Sequence, residues 1–284
     1  MGKTVLITGA SGFIGRHTAL ALRGAGWRVV RGGRSEQVGN DSEGVVYLNL
    51  KDPGQTLLLE KTLHCNAIVH LAARVGLSEE MDADLFMPNV LATGCIAHLA
   101  TAWDAQLIFT SSVMVHGSQC ENIQSGFSIT PDTAYGRSKV LAEQLLAASG
   151  ARHCVLRLAG VFGHDGPTHL GLNRAITGAL HGSLPTQIGT GKALRNYVYV
   201  KDVARTIVHA LDNDLTGIHL LAGHEVLSIS QMLQLICGQF LPGQHPLVKD
   251  GQESTDQVVA PSVYLPKNMT FCEALADIKK RMEP

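Results

Sequence analysis

The sequence predicts an α/β fold: a doubly wound parallel sheet with helices on both faces and a small cap from the C-terminal part of the chain. Short β-branched runs alternate with longer segments of helical period, the sequence form of βαβ units. The runs are apolar enough to be buried on both sides, as parallel strands are. The first of them passes at once into a glycine turn that opens a helix. In chain order, strands are expected at Thr4–Thr8, Trp27–Arg31, Val45–Leu50, Ala67–Leu71, Gln106–Ser111 and His153–Leu158. One helix follows Gly12, and Phe86–Trp103 and Tyr135–Ser149 have the length and period of two more, with Pro88 placed in a first turn that tolerates its missing N–H. After Gly160 the texture changes to loops rich in Gly, His and Pro, then Asn196–Val200 reads as a strand and Val203–Leu211 as a helix. The expected division is a main domain over 1–164, completed by a strand and helix at about 195–220, with the cap from 165–194 and 221–284.

A chain of 284 residues suits one large domain with a modest appendage. At 45% hydrophobic and 17% charged residues it is neither disordered nor fibrous in composition. The 23 basic and 24 acidic residues leave a net charge of -1, so no global field draws in a nucleic-acid polymer or a membrane surface. Any anionic ligand must be held locally. Cys65, Cys95, Cys120, Cys154, Cys237 and Cys272 are scattered without a CxxC pair, which argues against a disulfide framework and a zinc site and for a reducing compartment. The first apolar run is too short for a signal peptide, and no uncharged apolar run is expected to reach the roughly 18 residues of a membrane span. Leu6 stands where a myristoylation site after Gly2 needs Ser or Thr. A soluble, cytoplasmic protein without metal is the expectation.

Gly9-Ala10-Ser11-Gly12-Phe13-Ile14-Gly15 sits between the first strand and the first helix, the context in which a glycine pattern binds a dinucleotide in a Rossmann-like fold. Gly9 allows the tight turn, Gly12 lets backbone approach the pyrophosphate, and Gly15 lets helix and strand pack closely. The free N–H groups and the helix dipole then face the phosphates. NAD enzymes of this layout place an acid at the end of the second strand to hold the adenosine ribose. Here that strand ends Arg31-Gly32-Gly33-Arg34, with no acid. An arginine at position 34 can pair with a 2′-phosphate, so NADP is the expected cofactor and NAD the alternative.

Tyr135 and Lys139 are four residues apart at the start of a helix, which puts phenol and ammonium one turn apart on the same face. A nearby cation stabilises phenolate, and so brings a group of pKa about 10 toward proton exchange at neutral pH. Upstream, the fifth strand ends Thr110-Ser111-Ser112 at the sheet edge where ligands lie in such folds, and Ser112 can donate to a substrate oxygen there. His164 and His169 lie in a Gly/Pro loop without a third ligand, and His70 falls in a buried strand where a satisfied core histidine is the ordinary reading.

Taken together these segments resemble the extended short-chain dehydrogenases/reductases. Thr8–Gly15 resembles TGxxGxxG, Val69–Ala73 xHLAA, and Asn89-Val90 the NV of a central helix. Ser112–Gly117 resembles SxxVYG, Tyr135–Lys139 YxxxK, Leu156–Gly163 LRxxNVYG, and Arg195–Asp202 RDFxxVxD. The resemblance implies Ser112, Tyr135 and Lys139 as catalytic triad, with Lys139 also on the nicotinamide ribose. It implies a dinucleotide held by Gly9, Ser11, Gly12, Phe13, Ile14, Gly15, Arg34, Asn49, Leu50, Leu71, Ala72, Ala73, Asn89, Thr110, Tyr135 and Lys139. Substrate contacts are expected from Arg74, Ser112, Met114, Asn173 and Arg195, the last on a diphosphate, which makes the C-terminal cap the substrate-binding part. Three positions depart from the pattern: His116 replaces tyrosine, Gly160 asparagine and Asn196 aspartate.

The expected activity is an NADP(H)-dependent reductase that transfers hydride to a carbonyl substrate, a 4-keto-6-deoxy sugar nucleotide, while Tyr135 protonates the oxygen. The alternatives are a sugar-nucleotide 4-epimerase, a reductase of a non-nucleotide ketone or aldehyde, and a non-catalytic NADP-binding sensor. A homodimer is expected too, because Val90, Leu91, Ile96 and Leu99 on one helix and Val140, Leu141, Leu145 and Leu146 on another are apolar around more than one stripe.

Overall fold

The computed structural model describes residues 2–33, 44–76 and 83–282. Arg34, on which the NADP expectation rests, lies outside them. The chain runs β1 (Thr4–Thr8), α1 (Phe13–Gly24), β2 (Arg28–Gly33), β3 (Val45–Tyr47), α2 (Pro53–Thr62) and β4 (Ala67–His70). It continues through α3 (Ala83–Ala102), β5 (Gln106–Ser112), α4 (Ala134–Ala148), β6 (His153–Leu158) and α5 (Gly171–Leu180). The last elements of note are α6 (Val200–Asp212), β7 (Gly217–Leu221), α7 (Ile229–Phe240) and α8 (Phe271–Met282).

Seven strands form one sheet in the order β7-β6-β5-β4-β1-β2-β3. β1 lies between β2 and β4 and is parallel to both, with Ile7 opposite Arg31 and Val69. From β1 the chain therefore builds outward to one side as far as β3 and then returns to start β4 on the other. This reversal opens the crevice at the carboxyl ends of β1 and β4 in which such sheets hold ligands. Leu6, Val30, Ile68, Leu107 and Phe109 of the sheet form a core with Ile96 and Leu99 of α3 and Leu146 of α4. Leu91, Leu141 and Leu145, on the second apolar face of the two helices, are 37–38% exposed.

The structure differs from the sequence expectation at several elements. The seventh strand is Gly217–Leu221, whereas Asn196–Val200 contributes only Val198–Tyr199, paired parallel with Val161–Phe162 outside the large sheet. Gly217 and Ile218 are exposed, so the edge strand carries no continuous apolar signature. β2 begins at Arg28 and reaches Gly33, and β3 stops at Tyr47. Pro88 lies within a π-helical stretch, Met87–Leu91, in the interior of α3, where Ala92 N–H bonds back to Met87. The wider turn absorbs the missing proline N–H. At 20 residues α3 is, contrary to expectation, long and apolar enough to cross a membrane by length and composition alone. Half of its apolar window is buried here, and Ile96, Ala97 and Leu99 belong to the core.

The chain divides into two compact units. The first comprises 1–118, 126–158 and 203–219 and holds most of the sheet; the second comprises 119–125, 159–202 and 220–284. The second unit thus takes in a short loop at 119–125 and the segments 159–164 and 195–202, which the sequence places with the main domain. It contains α5, α7 and α8, which pack in sequence, and four two-stranded ladders among the described residues.

Candidate active site

The glycine turn is built by one backbone hydrogen bond and two close approaches that only glycine allows. Gly9 has φ +71°, and a Cβ there would lie 2.8 Å from Ala72 N. Gly12 N–H closes the turn on Gly9 O at 3.0 Å, and Gly12 caps α1 without any side-chain hydrogen bond. A Cβ on Gly15 would lie 2.1 Å from Gly9 O. The backbone of 9–15 and of Leu71–Ala72 is thereby brought edge to edge at the crevice. The first turn of α1 carries no acid. This is a cradle of backbone N–H groups at a helix N-terminus, which fits the pyrophosphate of a dinucleotide.

The other residues expected on the dinucleotide are largely held by the protein itself. Asn49 Oδ1 accepts from Lys51 N at 3.1 Å, closing a turn. Leu50 packs against the core. Asn89 is buried and pins two segments: its Oδ1 accepts from Arg74 N at 2.8 Å, and its Nδ2 donates to Arg74 O at 2.9 Å and Ser138 Oγ at 3.0 Å. Arg74 itself reaches Asp84 at 2.8 Å on the surface. His70 is a satisfied core histidine, bonded through Nδ1 to Thr8 Oγ1 at 2.6 Å and through Nε2 to Thr93 Oγ1 at 3.1 Å. Burial, with the Lys139 charge, lowers it to about 3, so the ring is neutral.

Ser112, Tyr135 and Lys139 come together where β5 ends and α4 begins. Ser112 caps a 3-10 turn over Val113–His116, its Oγ accepting from Met114 N at 3.2 Å. Thr133 caps α4, its Oγ1 accepting from Gly136 N at 3.1 Å. The helix start fits against that turn because residue 136 is glycine, since a Cβ there would lie 2.6 Å from Met114 O. Ser112 can then donate to the Tyr135 phenol. Lys139 is buried, donates to Thr110 O at 2.8 Å, and lies 4.6 Å from the Phe109 ring centroid and 5.8 Å from that of Tyr135. Thr110 Oγ1 in turn donates to His70 O at 3.3 Å. Desolvation of phenolate pushes Tyr135 up to about 12, an effect that the Ser112 hydrogen bond opposes without cancelling. Desolvation of ammonium brings Lys139 down to about 7, which Glu143 opposes. Burial therefore governs the phenol, not the Lys139 charge to which four-residue spacing points, although the ammonium lies over the ring face.

A glycine cradle and a Ser/Tyr/Lys cluster, with Lys139 buried and Ser112 and Tyr135 half-buried, stand at the carboxyl edge of the sheet, and comparison with known proteins gives the family. The model of the NAD dependent epimerase/dehydratase family matches residues 5–223. The chain belongs to that family. UDP-glucose 4-epimerase 4 of Oryza sativa subsp. japonica is 30% identical over 164 residues, 50% of this chain and 44% of that protein. UDP-glucose 4-epimerase of Yersinia pestis is 28% identical over 285 residues, 83% of each chain. The Bordetella bronchiseptica enzyme WbmH, solved in complex with NAD+, superposes with TM-score 0.81 at 22% identity over 97% of this chain and 96% of its own, which shows a shared fold.

In this family member the second unit has its own cavity of about 380 Å³. Its two charged lining residues are Arg174 and Glu253, among apolar neighbours such as Leu172, Tyr197, Ile229 and Met232. Glu253 accepts from Thr190 N at 2.7 Å and Thr190 Oγ1 at 3.0 Å. The Arg174 guanidinium makes no hydrogen bond or ion pair among the described residues, and the helical pattern of α5 was the only signal that could have placed it. The sequence offered instead Arg195, whose Nη1 donates to Leu194 O at 2.8 Å and Thr255 O at 2.5 Å, and Asn173, which bonds to Gly163 N at 3.0 Å and Val161 O at 3.4 Å. Both hold backbone.

The three departures have structural accounts. Asn196 stitches Gly223 and Val259 together through three backbone bonds of 2.7–3.0 Å. Gly160 leaves room for Tyr197, as a Cβ there would lie 2.3 Å from its ring. His116 bonds through Nδ1 to Ser128 O at 2.8 Å and through Nε2 to Arg157 Nη1 at 3.3 Å.

Proposed function

We propose that the protein is a sugar-nucleotide 4-epimerase that works with a nicotinamide dinucleotide seated on the 9–15 loop. The observation that carries this reading is the half-buried Tyr135 side chain, set beside Ser112 and Lys139 on the same sheet edge as the glycine cradle. The UDP-glucose 4-epimerase relatives and the NAD+ of WbmH support the substrate and cofactor classes. When bound, the dinucleotide supplies reversible two-electron redox at a carbinol carbon. Tyr135 exchanges the hydroxyl proton of that carbon, Ser112 orients its oxygen, and Lys139 places positive charge beneath the phenol so that phenolate costs less. Arg174 offers the second unit's cavity a guanidinium suited to phosphate. Incubation of UDP-glucose with protein and NAD should yield the C4 epimer, seen by proton NMR, with no net change in nicotinamide absorbance.

One observation favours a second reading, net reduction with NADP: β2 ends Arg31-Gly32-Gly33 without a carboxylate, and Arg34 follows. Oxidation of NADPH by a 4-keto-6-deoxy sugar nucleotide, with no epimer from UDP-glucose, would select it. Under this second reading NADPH should bind more tightly than NADH. Arg34→Ala should cut that preference by roughly tenfold to a hundredfold, the loss of one charge-assisted pair. Fluorescence titration checks this, and an unchanged preference would make Arg34 an ordinary surface residue.

A further inference from the structure

Between α4 and the sheet lies a buried ionic cluster with no part in the proposed reaction. Tyr135, Lys139 and Glu143 follow one another at four-residue spacing along one face of α4. The Glu143 carboxylate is held from two strands. Oε1 accepts from Ser111 Oγ at 2.5 Å and from Arg157 Nε at 3.1 Å, and Oε2 accepts from Arg157 Nη2 at 2.7 Å. The side chains of Arg157 and Glu143 are only 11% and 9% exposed. Arg157 also donates to His116 Nε2, and since arginine has no acceptor, His116 carries its proton on Nδ1, toward Ser128 O.

A buried ion pair is by itself a weak source of stability, because desolvating two charges offsets their attraction. Its polarity points to another role. Facing the Lys139 ammonium are Tyr135 and Glu143 from its own helix, neutral His70 from β4, and the Phe109 ring and Thr110 carbonyl from β5. Glu143 is the one carboxylate in that set. The carboxylate stands one helical turn from Lys139 on the same face of α4, while Arg157 on β6 donates to both of its oxygens. Ser111, the other group on Glu143, immediately precedes Ser112 in β5.

We propose that Glu143 is a positioning residue of this site: its carboxylate favours the charged form of Lys139 and, through Ser111, anchors the strand end that carries Ser112. This rests on the role given to Lys139 and not on the identity of the substrate. Burial draws the ammonium down to about 7 even with Glu143 in place, and the fixed negative charge one helical turn away opposes a further fall.

The test reads Lys139 directly, by the pH titration of its 13Cε NMR signal in the full-length protein labelled at lysine, assigned with Lys139→Met. In Glu143→Gln, which preserves shape, the Lys139 midpoint should fall by about one pH unit or more. In Arg157→Met, where the charge removed has the opposite sign, it should not fall. If Glu143→Gln does not fold, the double replacement Glu143→Met with Arg157→Met carries the test, since it removes both buried charges and the midpoint must again fall. A midpoint unmoved in folded Glu143→Gln, or lowered equally by Arg157→Met, overturns the proposal and makes the cluster purely structural. Failure of every sugar nucleotide to react would sink the proposed function and leave this titration standing.

Discussion

Tyr135→Phe should lower turnover by about a thousandfold or more while leaving dinucleotide affinity nearly unchanged, since general acid–base catalysis by one positioned group contributes about 10²–10⁴. The ring stays and only the hydroxyl goes. The close fit of Gly136 against Met114 O, which sets the start of α4, is therefore undisturbed. What disappears is the group that exchanges a proton with the substrate and the partner of Ser112. Lys139 keeps its bond to Thr110 O and its place against Phe109, so whatever it contributes to the cofactor survives. A single-turnover assay beside a fluorescence titration separates the two quantities. Near-normal single-turnover rates would mean that another group supplies the proton.

Gly15→Ala should be nearly as damaging by a different route. The new methyl would lie 2.1 Å from Gly9 O, 2.8 Å from Ala10 Cα and 2.9 Å from Ala10 C. All three are backbone atoms, so no side chain can swing aside, and α1 must move away from the loop that it holds. Overpacking of this kind costs about 1–3 kcal/mol or more, and melting should fall by roughly 5–10 °C at about 2–4 °C per kcal/mol. Dinucleotide affinity should fall by about a hundredfold, because the N–H groups of the cradle lose their alignment. Gly24→Ala, at the other end of the same helix, is the control, since a Cβ there meets nothing within 4 Å. Equal melting temperatures and affinities in the two variants would show that the close approach at Gly15 is not what shapes the cradle.

Much of the site can be read without coordinates because it is written in local patterns. A strand, a turn and a helix start lie within the 12 residues from Thr4 to Gly15, and each glycine answers a steric demand within that span. Tyr135 and Lys139 meet because four residues make one helical turn. The alternation of apolar runs and helical segments likewise determines a parallel sheet, whose strands must be covered on both faces. What lies outside the sequence's reach is whatever depends on partners distant along the chain. Gly217–Leu221 joins the sheet because β6 leaves it an edge. Asn89 faces Arg74 and Ser138 only once α3 and α4 pack, and Arg195 is held by a carbonyl 60 residues away. The Glu143–Arg157–Ser111 cluster draws on a helix and two strands, and no spacing rule announces it. The same holds for the protonation of the site. Spacing says that an ammonium will lie near a phenol. Only the tertiary structure decides that desolvation dominates both, because the energy of a buried charge depends on everything packed around it.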